Sequence, residues 1–433
     1  MKIVIIGGSF AGIRAAQLLN EACPQAEIYL IEKQNEIGFI PSSFHLLLTK
    51  QIVDKKQSHW ITKERLEETS RINVLTQKSA IGLVENEVLL DNGEKVPFDQ
   101  LIIATGSAQS FKRLDEAEAQ HIYSVKSGTN FTELETVLAQ ADKVAVVGGG
   151  QVGVELAEDL TTLGKKVDLY ESRNQILFRY LDEQMTEPIL NEMTKSGIQL
   201  FLNEQVQVLA DKNGAILESE KRKARYDVVL LANHTRPDNR LWAETIKLND
   251  DGTIWVDDYL RTSRKDVYAI GDAIQVTFRP TQEKMYVSLV NNAIRTAQVV
   301  SQTISGKPTK DVGTYRPVGN KWFGHFVGSV GLTESERFFY ARKVRKINQE
   351  HRVSLTNNEK ISLQLLVDQE TDQLIGAQLQ SKSSVFRLLD LLTIAIEQQW
   401  TLQQLEAHEL FFKPEYRTPE TILTEMSGSS YED

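Results

Sequence analysis

A unit of strand, glycine turn, helix and second strand occurs twice in this chain. The first copy runs from "KIVIIGGSFAG" to "AEIYLIEK" and places Gly7, Ser9 and Gly12 between an apolar strand and a helix. In such a unit the glycines permit a tight turn and close helix packing, while the helix N-terminus faces a pyrophosphate. Glu32 closes the second strand, where an acid can accept both hydroxyls of an adenosine ribose. A dinucleotide site is therefore predicted. Because Ser9 replaces the middle glycine, a plain βαβ unit is the alternative for this copy alone.

The second copy, "KVAVVGGGQVGVELAEDLTTLGKKVDLYES", is the stronger match because it has all three glycines, Gly148, Gly150 and Gly153. Its second strand ends at Glu171, and a carboxylate there accepts from the ribose 2′-hydroxyl of NAD and repels the 2′-phosphate of NADP. Ser172 and Arg173 follow, and an arginine can hold a phosphate, so the strictness for NADH over NADPH is left open. Two dinucleotides in one chain indicate a flavin together with a nicotinamide, that is, FAD and NADH.

Three further stretches fit this arrangement. The segments "FDQLIIATGSA" (98–108) and "YDVVLLANHTRPDN" (226–239) are apolar strands with short turns, where the chain would cross between nucleotide units. The segment "TSRKDVYAIGDA" (262–273) ends in Gly271 and Asp272, and an acid there can hold the sugar chain of a flavin. Beyond residue 311 the glycine patterns stop and alternating strands precede an apolar helix. We therefore expect an α/β protein with two Rossmann-like domains and a C-terminal α+β domain.

The composition of the chain argues against several classes of binding partner. The formal net charge of -10 and the pI near 5.4 oppose binding to nucleic acid or to an anionic membrane surface. No apolar run approaches the roughly 18 residues that span a bilayer, and the N-terminus lacks a signal-peptide core. We expect a cytoplasmic protein. The single cysteine, Cys23, permits no internal disulfide or dithiol pair and is expected to be structural.

The chain resembles the flavoprotein pyridine nucleotide-disulfide oxidoreductases, in particular the group of NADH peroxidase, NADH oxidase and coenzyme A disulfide reductase. The resemblance rests on both glycine patterns and on "GLTE", "LIGAQL" and "LFFKPEY" near the C-terminus. It implies an FAD domain formed by 1–111 and 233–311, an NADH domain at 112–232, and a homodimerisation domain at 312–433. In this family a helix starting near 288–293 directs its N-terminus at the flavin, where its dipole stabilises negative charge.

The resemblance also implies the cofactor-binding residues. These are Gly7, Ser9, Gly12, Glu32, Lys33, Ala104, Thr105, Gly106, Gly148, Gly150, Gln151, Gly153, Glu155, Glu171, Gly271, Asp272, Ser288 and Phe412. Phe412 lies in the family segment that reaches the partner's active site. A role for Phe411 and Phe412 as ordinary interface core is an equal alternative to contact with the flavin.

The loop "GFIPSSFH" (38–45) departs from the family. Ser42 stands at the position of the redox cysteine, and Phe10 stands at that of its supporting histidine. A hydroxyl does not form the thiolate that attacks peroxide or a disulfide, and a phenyl ring exchanges no proton. Both positions are therefore predicted to be inactive. His45 is either a substitute base or, as we favour, an ordinary helix histidine.

Two more departures concern the nicotinamide side, where family members often have a tyrosine at position 151 and a glycine at position 234. Here Gln151 and His234 stand instead, and both alter the expected NADH path.

The predicted function is an FAD-dependent oxidoreductase that takes hydride from NADH and passes electrons to oxygen, a quinone or another small acceptor without a cysteine relay. The alternative is a flavin-bearing NADH sensor or interaction protein with little turnover.

Overall fold

The computed structural model describes residues 1–109, 121–125, 131–211, 214–233, 235–420 and 422–423. The helices are α1 Phe10–Ala22, α2 Phe44–Leu48, α3 Lys63–Thr69, α4 Phe131–Gln140, α5 Gln151–Thr162, α6 Glu183–Lys195, α7 Val290–Ile304, α8 Phe386–Glu397 and α9 Leu402–Glu406. The strands are β1 Lys2–Ile6, β2 Glu27–Ile31, β3 Ile72–Leu75, β4 Ala80–Val84, β5 Glu87–Leu90, β6 Lys95–Pro97, β7 Gln100–Ile103, β8 Ala108–Gln109, β9 Ile122–Ser124, β10 Lys143–Val147, β11 Lys166–Tyr170, β12 Gln199–Phe201, β13 Gln207–Asp211, β14 Gly214–Glu218, β15 Lys223–Tyr226, β16 Val228–Leu231, β17 Thr235–Arg236, β18 Val267–Ala269, β19 Val276–Phe278, β20 Glu283–Met285, β21 Val318–Trp322, β22 His325–Gly331, β23 Val344–Arg352, β24 Lys360–Asp368 and β25 Leu374–Ser381.

The first Rossmann-like unit is a parallel sheet in the order β18-β7-β1-β2-β3. Its central strand β1 pairs with β2 and β7, so that Ile5 lies beside Leu30 on one side and Ile102 on the other. These apolar runs are buried, as is usual for a parallel sheet covered on both faces. Helix α1 packs against α7, which brings residues from the two ends of the unit together.

The second unit repeats the arrangement with the parallel order β12-β11-β10-β16-β9. Helix α5 packs against β10 and β11, and a three-stranded antiparallel sheet, β13-β14-β15, lies beside the parallel one. In both units the first strand of the glycine pattern is central to its sheet. The carboxyl ends of the neighbouring strands therefore border one crevice, which is where open α/β sheets bind ligands.

The C-terminal unit is an antiparallel sheet in the order β21-β22-β25-β24-β23, covered by α8. Gly319 and Gly328 make room for this helix, since a Cβ on either would lie 3.0–3.1 Å from the Leu389 side chain. The strands and helix predicted beyond residue 311 are confirmed as β24, β25 and α8. The predicted fold class, two Rossmann-like units followed by an α+β domain, is confirmed.

One local detail differs from the sequence expectation. A serine directly before an apolar run, as in "SSFHLLL", is typical of a helix N-cap, but Pro41–Ser43 forms a 3-10 turn and α2 begins at Phe44. The Ser43 hydroxyl donates to the Ile40 carbonyl at 2.6 Å instead of capping α2. Pro41 explains the tighter turn because its fixed φ suits the first position of a helix. Across the described parts of the chain, none of the helices combines the length and apolarity that crossing a bilayer requires.

Candidate functional site

The two glycine turns have nearly the same backbone geometry. Gly7 has φ +115° and Gly148 has φ +114°, a region that residues with a side chain rarely adopt. A Cβ on Gly7 would lie 2.2 Å from the Ala104 carbonyl oxygen, and one on Gly148 would lie 2.9 Å from the Ala232 carbonyl carbon. Each turn therefore depends on glycine for both its conformation and its close contact with the neighbouring strand end.

The last glycine of each pattern holds its helix against the turn. A Cβ on Gly12 would meet the Gly7 oxygen at 1.9 Å, and one on Gly153 would meet the Gly148 oxygen at 1.8 Å. The first turns of α1 and α5 consequently lie directly over the ends of β1 and β10. This close approach leaves the helix N-termini, with their free N–H groups, at the crevice where a pyrophosphate would bind.

The carboxylates of Glu32 and Glu171 make equivalent hydrogen bonds to the backbone. Glu32 accepts from the backbone N–H of Gly8 at 2.6 Å and of Gln34 at 2.8 Å. Glu171 accepts from the N–H of Gly149 at 2.7 Å and of Arg173 at 2.8 Å. These bonds fix each carboxylate beside its glycine turn, in position to accept ribose hydroxyls.

The residues after Glu171 bear on cofactor choice. The Ser172 hydroxyl donates to Glu171 at 3.1 Å, and the Arg173 guanidinium lies 5.1 Å from the centroid of the Phe178 ring. Arg173 is exposed and stacks on this ring. The carboxylate therefore occupies the position beside the turn, and this arrangement favours a free 2′-hydroxyl over a phosphate.

The predicted flavin-binding residues meet where β7, β18 and α7 converge. Asp272 accepts from the Ser107 hydroxyl at 2.8 Å and from the Ser288 hydroxyl at 2.5 Å. Gly271 has φ +66°, and its N–H donates to the Thr296 hydroxyl of α7 at 3.1 Å. A carboxylate supported by two hydroxyls is suited to the polar sugar chain of a flavin. The residues present therefore fit FAD.

The remaining predicted residues of the first unit lie around this crevice. Ala104 follows β7, and its N–H donates to the Ile6 carbonyl at 2.8 Å, which joins the two strand ends. Thr105 is exposed and Gly106 half-buried in the next turn. Ser9 is the exposed N-cap residue of α1 without a side-chain capping bond, and Lys33 is exposed beyond Glu32.

The loop at 38–45 has an aromatic environment. Ser42 is exposed on the 3-10 turn, and the Phe10 ring lies 6.0 Å from the Trp60 ring, between centroids. Gly38 and Trp60 are joined by a backbone hydrogen bond of 3.1 Å, which ties the loop to this tryptophan. No motif or spacing indicates a role for Trp60, because its contact with Phe10 depends on how two distant segments fold together.

The one cysteine does not substitute for a thiol at position 42. Cys23 is half-buried at the C-terminal end of α1, where its N–H donates to the Leu19 carbonyl at 2.8 Å. Burial raises the pKa of its thiol, which disfavours the reactive thiolate. Among the described residues, no group of three His, Cys, Asp or Glu side chains is placed to hold a metal ion.

The start of α5 meets α2 across the boundary between the two units. Gln151 begins α5, and Glu155 lies one turn further on. The Glu155 carboxylate is 3.9 Å from Nε2 of His45 and accepts from the Asn320 amide at 3.4 Å. Burial raises the pKa of Glu155 to about 7 and lowers the pKa of His45. His45, which we favoured as an ordinary helix histidine, thus faces a carboxylate. Asn320 had no sequence signal.

The predictions for His234 and for the aromatic pair Phe411 and Phe412 concern residues outside the two glycine turns and the loop at 38–45. His234 lies outside the described residues. Phe411 and Phe412 are 60% and 54% exposed in a C-terminal segment without helix or strand. The Arg417 guanidinium lies 4.7 Å from the centroid of the Phe411 ring, and the Leu355 N–H donates to the Pro414 carbonyl at 3.1 Å. The bond from Leu355 attaches the segment to the C-terminal unit, whereas the contact of Arg417 with Phe411 lies within the segment.

Comparison with known proteins agrees with this geometry. The family model described as pyridine nucleotide-disulphide oxidoreductase matches residues 1–297. An NADH oxidase of Enterococcus faecalis is 26% identical over 100% of both chains, and a coenzyme A disulfide reductase of Staphylococcus aureus is 26% identical over 98% of both.

Solved structures agree as well. A pyridine nucleotide-disulfide family oxidoreductase from Enterococcus faecalis is 30% identical, with a TM-score of 0.86 and 98% of each chain covered. The water-forming NADH oxidase from Lactobacillus brevis, bound to NADH, has the same fold at 24% identity, with a TM-score of 0.93 and 99% and 97% of the two chains covered. The paired glycine turns, their acidic residues and these matches show that the chain belongs to the pyridine nucleotide-disulfide oxidoreductase family.

Proposed function

We propose that this protein is an FAD-dependent oxidoreductase that takes hydride from NADH and passes electrons to oxygen or another small acceptor without a cysteine relay. The observation that carries the proposal is the repetition of one dinucleotide-binding geometry in two adjoining units, with a serine at the redox-cysteine position. Relatives of nearly equal length are named NADH oxidase, which supports oxygen as the acceptor. They give no support to the alternative of a sensor with little turnover.

Each unit has a distinct binding role. The N-terminus of α1 and Glu32 hold the pyrophosphate and the adenosine ribose of FAD, while Asp272 holds its sugar chain. The N-terminus of α5 and Glu171 hold the corresponding parts of NADH. Bound FAD would supply the redox chemistry, namely acceptance of hydride from NADH and transfer of two electrons to the acceptor. The protein positions the two rings and excludes water.

We also propose that the chain has three domains and forms a homodimer. The FAD domain comprises 1–111 and 233–311, the NADH domain 112–232, and the dimerisation domain 312–433, so that each contains one of the three large sheets. Four large side chains in the C-terminal segment or bonded to it by the backbone are exposed, namely Leu355, Phe411, Phe412 and Tyr416. Exposed aromatic and aliphatic side chains of this kind favour an interface, and we propose a second copy of the chain as the partner. We expect sedimentation to give twice the chain mass of 49.0 kDa, whereas a stable monomer would refute the dimer.

The function is tested by the purified protein. We expect a yellow protein with one FAD per chain that consumes NADH steadily under air, and NADPH more slowly because Glu171 repels its 2′-phosphate. A protein that stays colourless after FAD is added would contradict the proposal. A single reduction followed by very slow reoxidation under air, with every acceptor tried, would favour the sensor instead.

A further inference from the structure

The hydroxyl of Tyr286 is buried beside the predicted flavin site. Tyr286 lies in the segment between β20 and α7, and its side chain is half-buried. Its Oη atom is enclosed by protein, without a hydrogen-bond partner among the described residues. Burying a hydroxyl without a partner destabilises a folded chain, and native proteins rarely leave one in that state. A partner outside the chain, either a ligand or a water molecule, would explain why this hydroxyl is buried.

The groups around this hydroxyl belong to the flavin site. Burial, and next the charge of Asp272, raise the pKa of Tyr286. The nearby hydroxyls of Ser107, Ser288 and Thr235 oppose this shift, but none of them is placed to hydrogen-bond Oη. The Ser107 and Ser288 hydroxyls donate to Asp272 instead, at 2.8 and 2.5 Å. Tyr286 thus adjoins the carboxylate that we assign to the sugar chain of FAD.

Contacts on its ring and on its backbone hold Tyr286 in place. The Arg236 guanidinium lies 5.0 Å from the centroid of the Tyr286 ring, which is within the range of a cation–π contact. Arg236 belongs to β17, where it pairs with Ala108 of β8. The Asn292 amide of α7 donates to the Val287 carbonyl at 3.1 Å and fixes the backbone directly after Tyr286. A side chain that is held before the ligand arrives loses little freedom on binding.

The Tyr286 hydroxyl and the Asp272 carboxylate have complementary chemistry. A carboxylate only accepts hydrogen bonds, whereas a phenol hydroxyl can donate one. A sugar hydroxyl does both, because it can donate its proton to Asp272 and accept through its oxygen from Tyr286. A diphosphate oxygen or a ring carbonyl has no proton to offer the carboxylate. The sugar chain of the flavin therefore fits the two groups together.

We infer that Tyr286 is a further FAD-binding residue, whose hydroxyl donates to the sugar chain of the flavin beside Asp272. Its role is in the affinity for FAD and in the placement of the sugar chain, and it takes no part in hydride transfer. The inference rests on the proposed function only for FAD as the bound group.

Tyr286→Phe tests the inference because it removes the hydroxyl and keeps the ring. The FAD dissociation constant, measured from flavin fluorescence on dilution of the FAD-loaded protein, should rise about 10-fold, the effect of one lost hydrogen bond. The Tm of the apo-protein should stay the same or rise, because the variant no longer buries a hydroxyl without a partner. Weaker cofactor binding without a loss of apo-protein stability is not expected of a merely structural tyrosine.

Tyr226→Phe is the matched control from the second unit. Tyr226 is 1% exposed, and its hydroxyl donates to Asp168 at 2.7 Å and pairs with the Tyr170 hydroxyl at 2.6 Å. Removing this hydroxyl leaves buried partners unpaired, so the Tm of the apo-protein should fall. The FAD dissociation constant should not change. The two Tyr→Phe variants are thus expected to have opposite effects on stability and affinity.

ADP identifies the part of the cofactor that Tyr286 contacts. It contains the adenosine and diphosphate of FAD but lacks the flavin and its sugar chain. The affinity for ADP, measured by competition with FAD, should be the same in Tyr286→Phe as in the unmodified protein. An equal loss of affinity for ADP and FAD would place the bond on the other half of the cofactor and overturn the assignment to the sugar chain.

The remaining outcomes separate this inference from the proposed function. An unchanged FAD dissociation constant in Tyr286→Phe would overturn the inference, and is the result expected if the hydroxyl bonds only water. A variant that fails to fold would show a structural hydroxyl and overturn it equally. An FAD-loaded protein that does not oxidise NADH would refute the proposed function, while a 10-fold difference in FAD affinity would still establish the role of Tyr286.

Discussion

Gly153→Val is expected to lower the rate of flavin reduction by NADH by about 100-fold or more, the usual cost of misplacing a reacting group by about 1 Å. The first side-chain atom would lie 1.8 Å from the Gly148 oxygen, which belongs to the backbone and cannot rotate away. Helix α5 must therefore move off the end of β10 and carry its N-terminus away from the pyrophosphate. Because Gly153 belongs to the second unit, the FAD content should be unchanged.

The first unit provides the reciprocal variant. In Gly12→Val the new side chain would meet the Gly7 oxygen at 1.9 Å, so FAD should be lost first. Gly82→Val is the control for the residue type, because a Cβ at Gly82 has no heavy atom within 4 Å. Rapid stopped-flow reduction of Gly153→Val by NADH would show that α5 does not hold the nicotinamide cofactor.

Ser42→Cys is expected to create a long-wavelength charge-transfer band when the enzyme is partly reduced. A thiolate beside oxidised flavin is a good electron donor, whereas the neutral hydroxyl of Ser42 is a poor one. Peroxide turnover should stay low, because Phe10 cannot exchange a proton with the new thiol. Adding Phe10→His should raise it.

The neighbouring serine gives a matched control. Ser43 is buried, and its hydroxyl donates to the Ile40 carbonyl at 2.6 Å, so this side chain is held within its own turn. Ser43→Cys should therefore show no such band on partial reduction. A band in Ser43→Cys and none in Ser42→Cys would mean that the loop had been assigned one residue out of register.

Local geometry explains why the cofactor units could be predicted from the sequence. Gly7 and Gly148 are required by a backbone conformation, and Glu32 and Glu171 by hydrogen bonds to the turn beside them. Such requirements are written in short, ordered stretches of residues. The three sheets follow in the same way from apolar runs between those stretches.

Contacts between distant elements could not be predicted. The approach of His45 to Glu155 depends on how α2 packs against α5, and the bond from Asn320 depends on a strand of the C-terminal unit. The pairing of Phe10 with Trp60 likewise depends on two loops. Periodicity and motif spacing say nothing about which side chains meet across such boundaries.

The start of helix α2, after the loop at 38–45, could be predicted from the sequence only in part. A serine before an apolar run predicts an N-cap, yet the Ser43 hydroxyl bonds backwards to Ile40 and α2 begins without a side-chain cap. Serine competes for nearby backbone groups in several geometries, and the preceding Pro41 favours the tight turn observed here. The proline and serines therefore indicate a turn here, but they do not indicate that the Ser43 hydroxyl donates to Ile40 instead of capping α2.

The most direct test of an NADH-dependent flavoprotein without a cysteine relay is an anaerobic titration of the unmodified, FAD-loaded protein with NADH. With flavin as the only redox centre, one NADH per FAD should bleach the flavin fully, and no long-wavelength charge-transfer band should appear. The half-buried Cys23, whose thiol pKa is raised by burial, should not contribute. A requirement for two NADH per FAD, with that band at the midpoint, would show a second redox centre and contradict electron transfer without a cysteine relay.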